Sequence, residues 1–144
     1  MLITVGDKKN SHWNLTDDCI EVFDCKLGFL NKPHLTQKIF LKDIQEIRIC
    51  WKNIMLGRVL KYAHPVYMKI FQKNKDAIFV ELNTDTSRTN VLSALDSLKE
   101  KVHLVDKYNV ISALKNPDQN LWEYIEDVIK EHDLGYSLYV KSDK

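Results

Sequence analysis

The hydrophobic period of this chain changes once, and that change restricts the fold more than any other feature. In the front part, apolar residues recur at every second position: Ile47, Ile49 and Trp51, then Val66, Met68 and Ile70, then Ile78, Val80 and Leu82. Period two sends alternate side chains to one buried face, so these runs are strands. Cys19–Asp24 and Lys38–Leu41 are rich in strand formers and extend the pattern upstream. The short polar run Gln72–Asp76 separates two alternating runs and reads as a hairpin turn, which demands antiparallel pairing. Leu30–His34 reads as a further turn around Pro33, which has no amide proton to give to a ladder. Beyond Thr84-Asp85-Thr86-Ser87, a run of N-cap candidates, Val91, Leu95, Leu98 and Val102 follow at spacings of four, three and four. That is the stripe of an amphipathic helix over about 86–102. The fold class is therefore α+β, with about six or seven antiparallel strands and a closing helix.

The last part of the chain carries a second helical pattern. Asn116-Pro117 suits a helix start, and Leu121, Trp122, Ile125, Val128 and Ile129 form a stripe over about 117–132. Gly135 stands where a left-handed cap is common, and Tyr136–Val140 alternates as a final strand would. Val105–Lys115 reads either as a short helix or as a connecting strand. No Gly/Ser-rich or Pro-rich linker intervenes. The expectation is a domain over 1–102 with a helical extension, 103–144, packed on it. The 117–132 helix packs on that core or on a second copy, which makes a homo-oligomer one option.

Composition narrows the function by exclusion. Of 144 residues, 44% are apolar and 28% charged, the balance of a globular chain and not of a disordered one. Cys19 and Cys25 on one strand stand about 20 Å apart, well beyond the ~7 Å limit for a disulfide. Scattered cysteines of this kind read as reduced thiols, and the chain is expected to be cytoplasmic. The first residues have no basic segment followed by a long apolar one, so no signal peptide is expected. No window approaches the roughly 18 apolar residues of a membrane span. Gly6, Gly28, Gly57 and Gly135 are too dispersed to cradle a phosphate. His12, His34, His64, His103 and His132 have no second His or Cys at ligand spacing. No catalytic set, metal site or cofactor is predicted.

Charge is distributed unevenly. Between Ile47 and Lys75 there is no Asp or Glu, while Arg48, Lys52, Arg58, Lys61, Lys69, Lys73 and Lys75 supply seven cations. Residues 1–83 carry thirteen basic and nine acidic side chains, and residues 84–144 carry eight and eleven. Inside the basic stretch, Trp51–His64 places an apolar run between cations. The candidate binding residues are Lys52, Arg58, Lys61 and Lys69, with Ile54, Met55 and Leu56 as apolar contacts. Such a stretch docks an acidic protein, or touches anionic lipid with its apolar tip dipping into the interface. In the plainer alternative, residues 54–60 are core and the lysines are a solvated edge. Nucleic acid is not expected, because the patch is small and the whole chain carries only +1.

The run Lys38-Ile39-Phe40-Leu41-Lys42-Asp43-Ile44-Gln45-Glu46-Ile47 resembles a step of pleckstrin-homology-like domains, above all the bacterial and GRAM-like ones. There it enters a strand after a short turn, and hairpin strands and a helix follow, as Val66–Phe71, Ala77–Asn83 and Thr86–Val102 do here. The resemblance covers residues 1–102. It implies a curved antiparallel sheet or partly open barrel capped by the helix, and a binding module in place of an enzyme. Phosphoinositide-binding members carry a dense basic motif across the first hairpin. This chain has Asp7, Lys8, Lys9 and His12 there, followed by Asp17-Asp18, so no lipid-binding residues are carried over.

The resulting expectation is a non-catalytic module that binds a protein through its basic surface. Peripheral binding to an anionic membrane is one alternative. A small immunity or regulatory protein is another, with Glu123, Glu126, Asp127 and Glu131 of the 117–132 helix facing a basic partner.

Overall fold

Short alternating segments joined by tight turns fold into antiparallel neighbours, because parallel neighbours need long crossovers. The structure, a computed structural model, describes residues 1–25, 32–59, 61–84 and 88–140. Its first strands are β1 (Ile3–Gly6), β2 (His12–Leu15), β3 (Cys19–Asp24) and β4 (His34–Phe40). They form one antiparallel sheet in the order β1-β2-β3-β4, with a register shift at Val22/Phe23. Gly6 ends β1 at φ +99°, and a Cβ there would stand 3.1 Å from both Asn83 Nδ2 and His12 Cβ. Backbone conformation and close approach both favour glycine at that corner.

A 3-10 turn, Leu41–Asp43, leads into β5 (Ile44–Trp51). Then come β6 (Ile54–Leu56), β7 (Lys61–Ala63), β8 (Val66–Gln72) and β9 (Ile78–Glu81). The helix α1 (Arg88–Lys101) follows, and after it β10 (Leu104–Val105), α2 (Val110–Lys115) and α3 (Leu121–His132). The second sheet has the order β10-β5-β8-β9, antiparallel except for the β10–β5 pair. Strands β6 and β7 pair only with each other among the described residues.

One apolar core joins these parts. Trp13, Leu15, Ile20 and Ile39 come from the first sheet, and Ile47, Trp51, Met68 and Ile70 from the second. Val91, Leu95 and Leu98 come from α1, and Ile125, Val128 and Ile129 from α3. Each large apolar side chain buried this way contributes about 1.5–3 kcal/mol. α1 packs against β1 and α2, and α2 packs against α3. Arg88 ties the helices together, donating to the carbonyls of Leu114 and Asn116 at 2.7 Å each. Asp106 accepts from the amides of Val110 and Ile111 and so satisfies the start of α2.

The α+β class and the mainly antiparallel pairing stand as expected. The strand count differs: among the described residues ten strands occupy sheets of four, four and two, where about six or seven in one sheet were expected. The strands that no alternating run had marked, β1, β2, β6, β7 and β10, are two to four residues long, too short for a clear period to register. The hairpin turn lies between β8 and β9, where Asn74 takes φ +60°. Residues 85–87 among the expected caps, and 30–31 of the turn at Pro33, lie outside the described residues.

The second helix begins at Leu121, not at Pro117. Asn120 supplies the cap, its side-chain oxygen accepting from the Glu123 amide at 3.1 Å, while Asn116 opens a separate turn through the Asp118 amide. At its other end Asp133 takes the left-handed position at φ +49°, two residues before Gly135 at +72°. Val105–Lys115 contains both a strand end and a helix. The expected final strand is reduced to a single bridge between Lys52 and Tyr139.

Candidate functional site

Strands β6 and β7 form a separate two-stranded hairpin between β5 and β8. Ile54 pairs with Ala63, Met55 with Tyr62 and Leu56 with Lys61. Gly57 turns the chain at φ +46°, with nothing within 4 Å of the position a Cβ would take. A two-stranded hairpin alone is marginal in water, so its root must hold it. Ile54, Met55 and Leu56 are 38%, 54% and 45% exposed, although successive residues of a strand point to opposite faces. Both faces of β6 therefore meet solvent. The choice between core and surface for these three falls to surface. Arg58 and Lys61 are exposed beside them.

The root is built from residues far apart in sequence. His64 is wholly buried, with Nε2 2.8 Å from Glu126 Oε1 and Nδ1 3.0 Å from Asn53 Oδ1. The Asn53 side-chain Nδ2 donates to the Ser137 carbonyl at 2.6 Å, which leaves its side-chain oxygen to accept from His64 Nδ1. Tyr136 donates to Glu126 Oε2 at 2.6 Å and stacks on Tyr62 with ring centres 4.2 Å apart. Partial burial alone would raise the Glu126 carboxyl. The hydrogen bonds from Tyr136 and His64, with Lys130 nearby, outweigh that and hold it below its ordinary range. Accepting the Tyr136 hydrogen bond, Glu126 pushes that phenol up to about 12. Both ring nitrogens of His64 are thus engaged away from solvent, and the network's work is to fasten the hairpin to α3 and to the segment that follows it.

The other two predicted cations lie elsewhere. Lys52 follows β5, and its Nζ sits 4.6 Å from the Tyr67 ring centre and 5.0 Å from that of Tyr139. Burial would lower its ammonium, but the Tyr139 and Tyr67 hydroxyls raise it above the ordinary lysine value. Tyr67 is itself pushed up, chiefly by burial. Lys69, on β8, lies over Phe71 and Phe79 at 5.1 and 5.5 Å. Arg48 also lies over Phe71, at 5.1 Å, and pairs with Glu46. Exposed cation–ring contacts of this kind contribute about 0.5–1 kcal/mol each. The structure thus divides the four predicted cations, with Arg58 and Lys61 on the hairpin and Lys52 and Lys69 on an aromatic sheet face.

On α3, Glu123, Asp127 and Glu131 are exposed, whereas Glu126 turns inward to His64. Of that helix's expected stripe, Leu121, Ile125, Val128 and Ile129 are directed into the chain's own core, whereas half-buried Trp122 lines the cleft beside Arg88. Cys19, Cys25 and Cys50 are free thiols. Among the described residues, no three His, Cys, Asp or Glu side chains gather as metal ligands, and no helix is long and apolar enough to cross a membrane. A cleft of about 480 Å³ lies between the start of α3 and Arg88, and one of about 250 Å³ near His12, Tyr67 and Glu81. Neither contains a predicted binding residue.

Sequence reasoning missed Asn53, His64, Glu126 and Tyr136 as a group, and Tyr139 as a partner of Lys52. The separations of 62 between His64 and Glu126 and 84 between Asn53 and Ser137 leave no local signal. No family model matches the chain, and neither a curated protein nor a solved structure is found similar to it.

Proposed function

We propose that this protein is a non-catalytic binding module that docks an acidic partner protein through the β6–β7 hairpin. The observation that carries the reading is the exposed run Ile54-Met55-Leu56 beside Arg58 and Lys61, inside a stretch without Asp or Glu. Adjacent exposed apolar side chains ringed by charge are the usual composition of an interaction surface. The hairpin also has outer strand edges that a partner's backbone can meet. The order of a four-stranded antiparallel sheet, a second sheet and helix α1 supports a pleckstrin-homology-like scaffold with this hairpin inserted. On that reading the two sheets are the halves of a partly open barrel, residues 1–102 are the domain and 103–144 its extension.

Anionic membrane is the second reading, favoured by the apolar tip between cations. Two cations at the tip contribute only about 1 kcal/mol each toward an anionic leaflet, which is little for stable attachment. The test compares affinity capture by the full-length chain with capture by Arg58→Glu/Lys61→Glu and by Met55→Ser/Leu56→Ser. Thermal unfolding verifies that the variants stay folded. The expected result is a partner that both variants lose and that elutes between about 0.1 and 1 M salt. Unchanged capture by both variants overturns the reading. Binding of the chain to anionic liposomes, lost in both variants, transfers it to the membrane.

A further inference from the structure

The segment after α3 occupies a place on the second sheet that is built like a peptide site. The Asn53 amide donates to the Leu138 carbonyl at 2.9 Å, and the Val140 amide donates to the Trp51 carbonyl at 3.2 Å. Lys52 and Tyr139 form the bridge between them. The segment 138–140 thus runs antiparallel to the end of β5, on the side away from Pro65, whose carbonyl accepts from the Lys52 amide. Its side chains differ sharply in their fate. Leu138 is 58% exposed, whereas Val140 is 7% exposed and joins the core cluster. Tyr139 lies between the Lys52 ammonium and the Phe79 ring, 4.3 Å from that ring centre. Tyr67 meets the Tyr139 ring edge-on at 6.3 Å. The backbone bonds accept any extended segment; the aromatic walls, the ammonium and the small apolar seat select what it carries.

Upstream the segment is anchored where Tyr136 donates to Glu126 and the Asn53 side chain donates to the Ser137 carbonyl, whereas residues 138–140 hang from two backbone bonds and the Tyr139 and Val140 side chains. It leaves α3 through Asp133 and Gly135, both at positive φ, and residues 135–138 are exposed. We infer that this edge and socket form a binding site for an extended peptide of a partner protein carrying an aromatic residue followed by an aliphatic one, and that the chain's own Tyr139-Val140 fills it in the unbound state. Partner strand and internal segment then compete for the same backbone bonds, so the internal segment sets a threshold that a partner must exceed. The hairpin reading is independent of this site, which uses Lys52, Tyr67 and Phe79 and neither Arg58 nor Lys61.

The test is fluorescence anisotropy on the full-length chain, with a labelled peptide of sequence Leu-Gly-Tyr-Ser-Leu-Tyr-Val and a control in which the second tyrosine is alanine. Tyr139→Ala removes the ring from the aromatic walls and so weakens the internal occupant without shortening the chain. It is expected to bind the tyrosine peptide about tenfold or more tightly than the unaltered protein does, in line with release of an internal competitor. It is expected not to bind the alanine peptide, and Tyr139→Ala/Phe79→Ala is expected to lose the tyrosine peptide. Arg58→Glu/Lys61→Glu leaves these affinities unchanged. Equal binding of both peptides, no binding of either, or equal affinity with and without Tyr139 overturns the proposal. A dimer of the unaltered chain that Tyr139→Ala converts to monomer also overturns it and assigns the edge to a second copy. Amide exchange on the unaltered protein gives a check that no variant can confound. The Val140 amide is expected to exchange at least about tenfold faster than that of Met68 in β8. Equal protection would make the segment part of the global core, not a displaceable occupant.

Discussion

Replacing Glu126 by alanine removes the acceptor that His64 and Tyr136 share, and the structure sets the cost of each loss. Tyr136 is 38% exposed, so its hydroxyl finds water and its loss is small. His64 is wholly buried, so its Nε2 stays unpartnered, at a cost of about 1–3 kcal/mol. With the small Tyr136 loss added, the cost falls near the middle of that range, about 2–3 kcal/mol. For a chain near 150 residues, each kcal/mol moves the midpoint by about 2–4 °C, so Tm should fall by roughly 5–10 °C. A pH signature accompanies it. The Glu126 carboxyl is held below its ordinary value of 4.5 in the folded state, so the unfolded chain binds more protons there. That contribution is present above the unfolded value and is lost as pH falls through the folded one. Glu126→Gln should therefore flatten the acid limb of the stability profile while costing less at neutral pH than Glu126→Ala. Thermal unfolding followed by circular dichroism from acid to neutral pH measures both effects, with exposed Asp127→Ala as the control, expected within about 0.5 kcal/mol of the original. A Glu126→Ala midpoint within a degree of the original, with an unchanged acid limb, would refute the anchoring role of the network.

Other outcomes follow from packing and backbone geometry. Ile125→Ala, at a fully buried position of α3, should cost about 2–5 kcal/mol and lower a single unfolding transition; two separated transitions in calorimetry would detach the extension from the core. Asn120→Ala removes the cap of α3 and should cost about 1 kcal/mol in denaturant titration. Gly57→Ala meets no neighbour but strains a left-handed turn, so it should cost about 1 kcal/mol and increase amide exchange within the hairpin. Gly6→Ala combines such strain with approaches of 3.1 Å to Asn83 and His12, and it should destabilise more than Gly57→Ala in the same titration.

The parts of this fold legible in the sequence are those whose period is long enough to register. β5, β8, β9 and α1 lie close to where alternation or the helical stripe put them, because each buries one continuous face. The start of α3 was displaced by four residues because two asparagines compete as caps, and Asn120 wins through its bond to Glu123. Residues 54–60 stood undecided between core strand and surface because an apolar run bounded by cations has the same composition whether buried or exposed. The candidate cations were visible as an acid-free stretch, but not their division. Strand register sends Lys69 to the aromatic face, opposite Arg48 and Phe79, whereas the turn at Gly57 carries Arg58 away from it. His64, Glu126 and Tyr139 were illegible because tertiary packing alone makes them neighbours of residues 52–53 and of the hairpin.

On the proposed reading the hairpin tip meets another protein. A photoreactive residue placed at Met55, which is 54% exposed, tests it most directly, with the same residue at exposed Ser112 on α2 as the control. The account predicts a discrete protein adduct from position 55, absent from position 112 and suppressed by Arg58→Glu/Lys61→Glu. Adducts that are equal at the two positions, or that form with lipid alone, would contradict it.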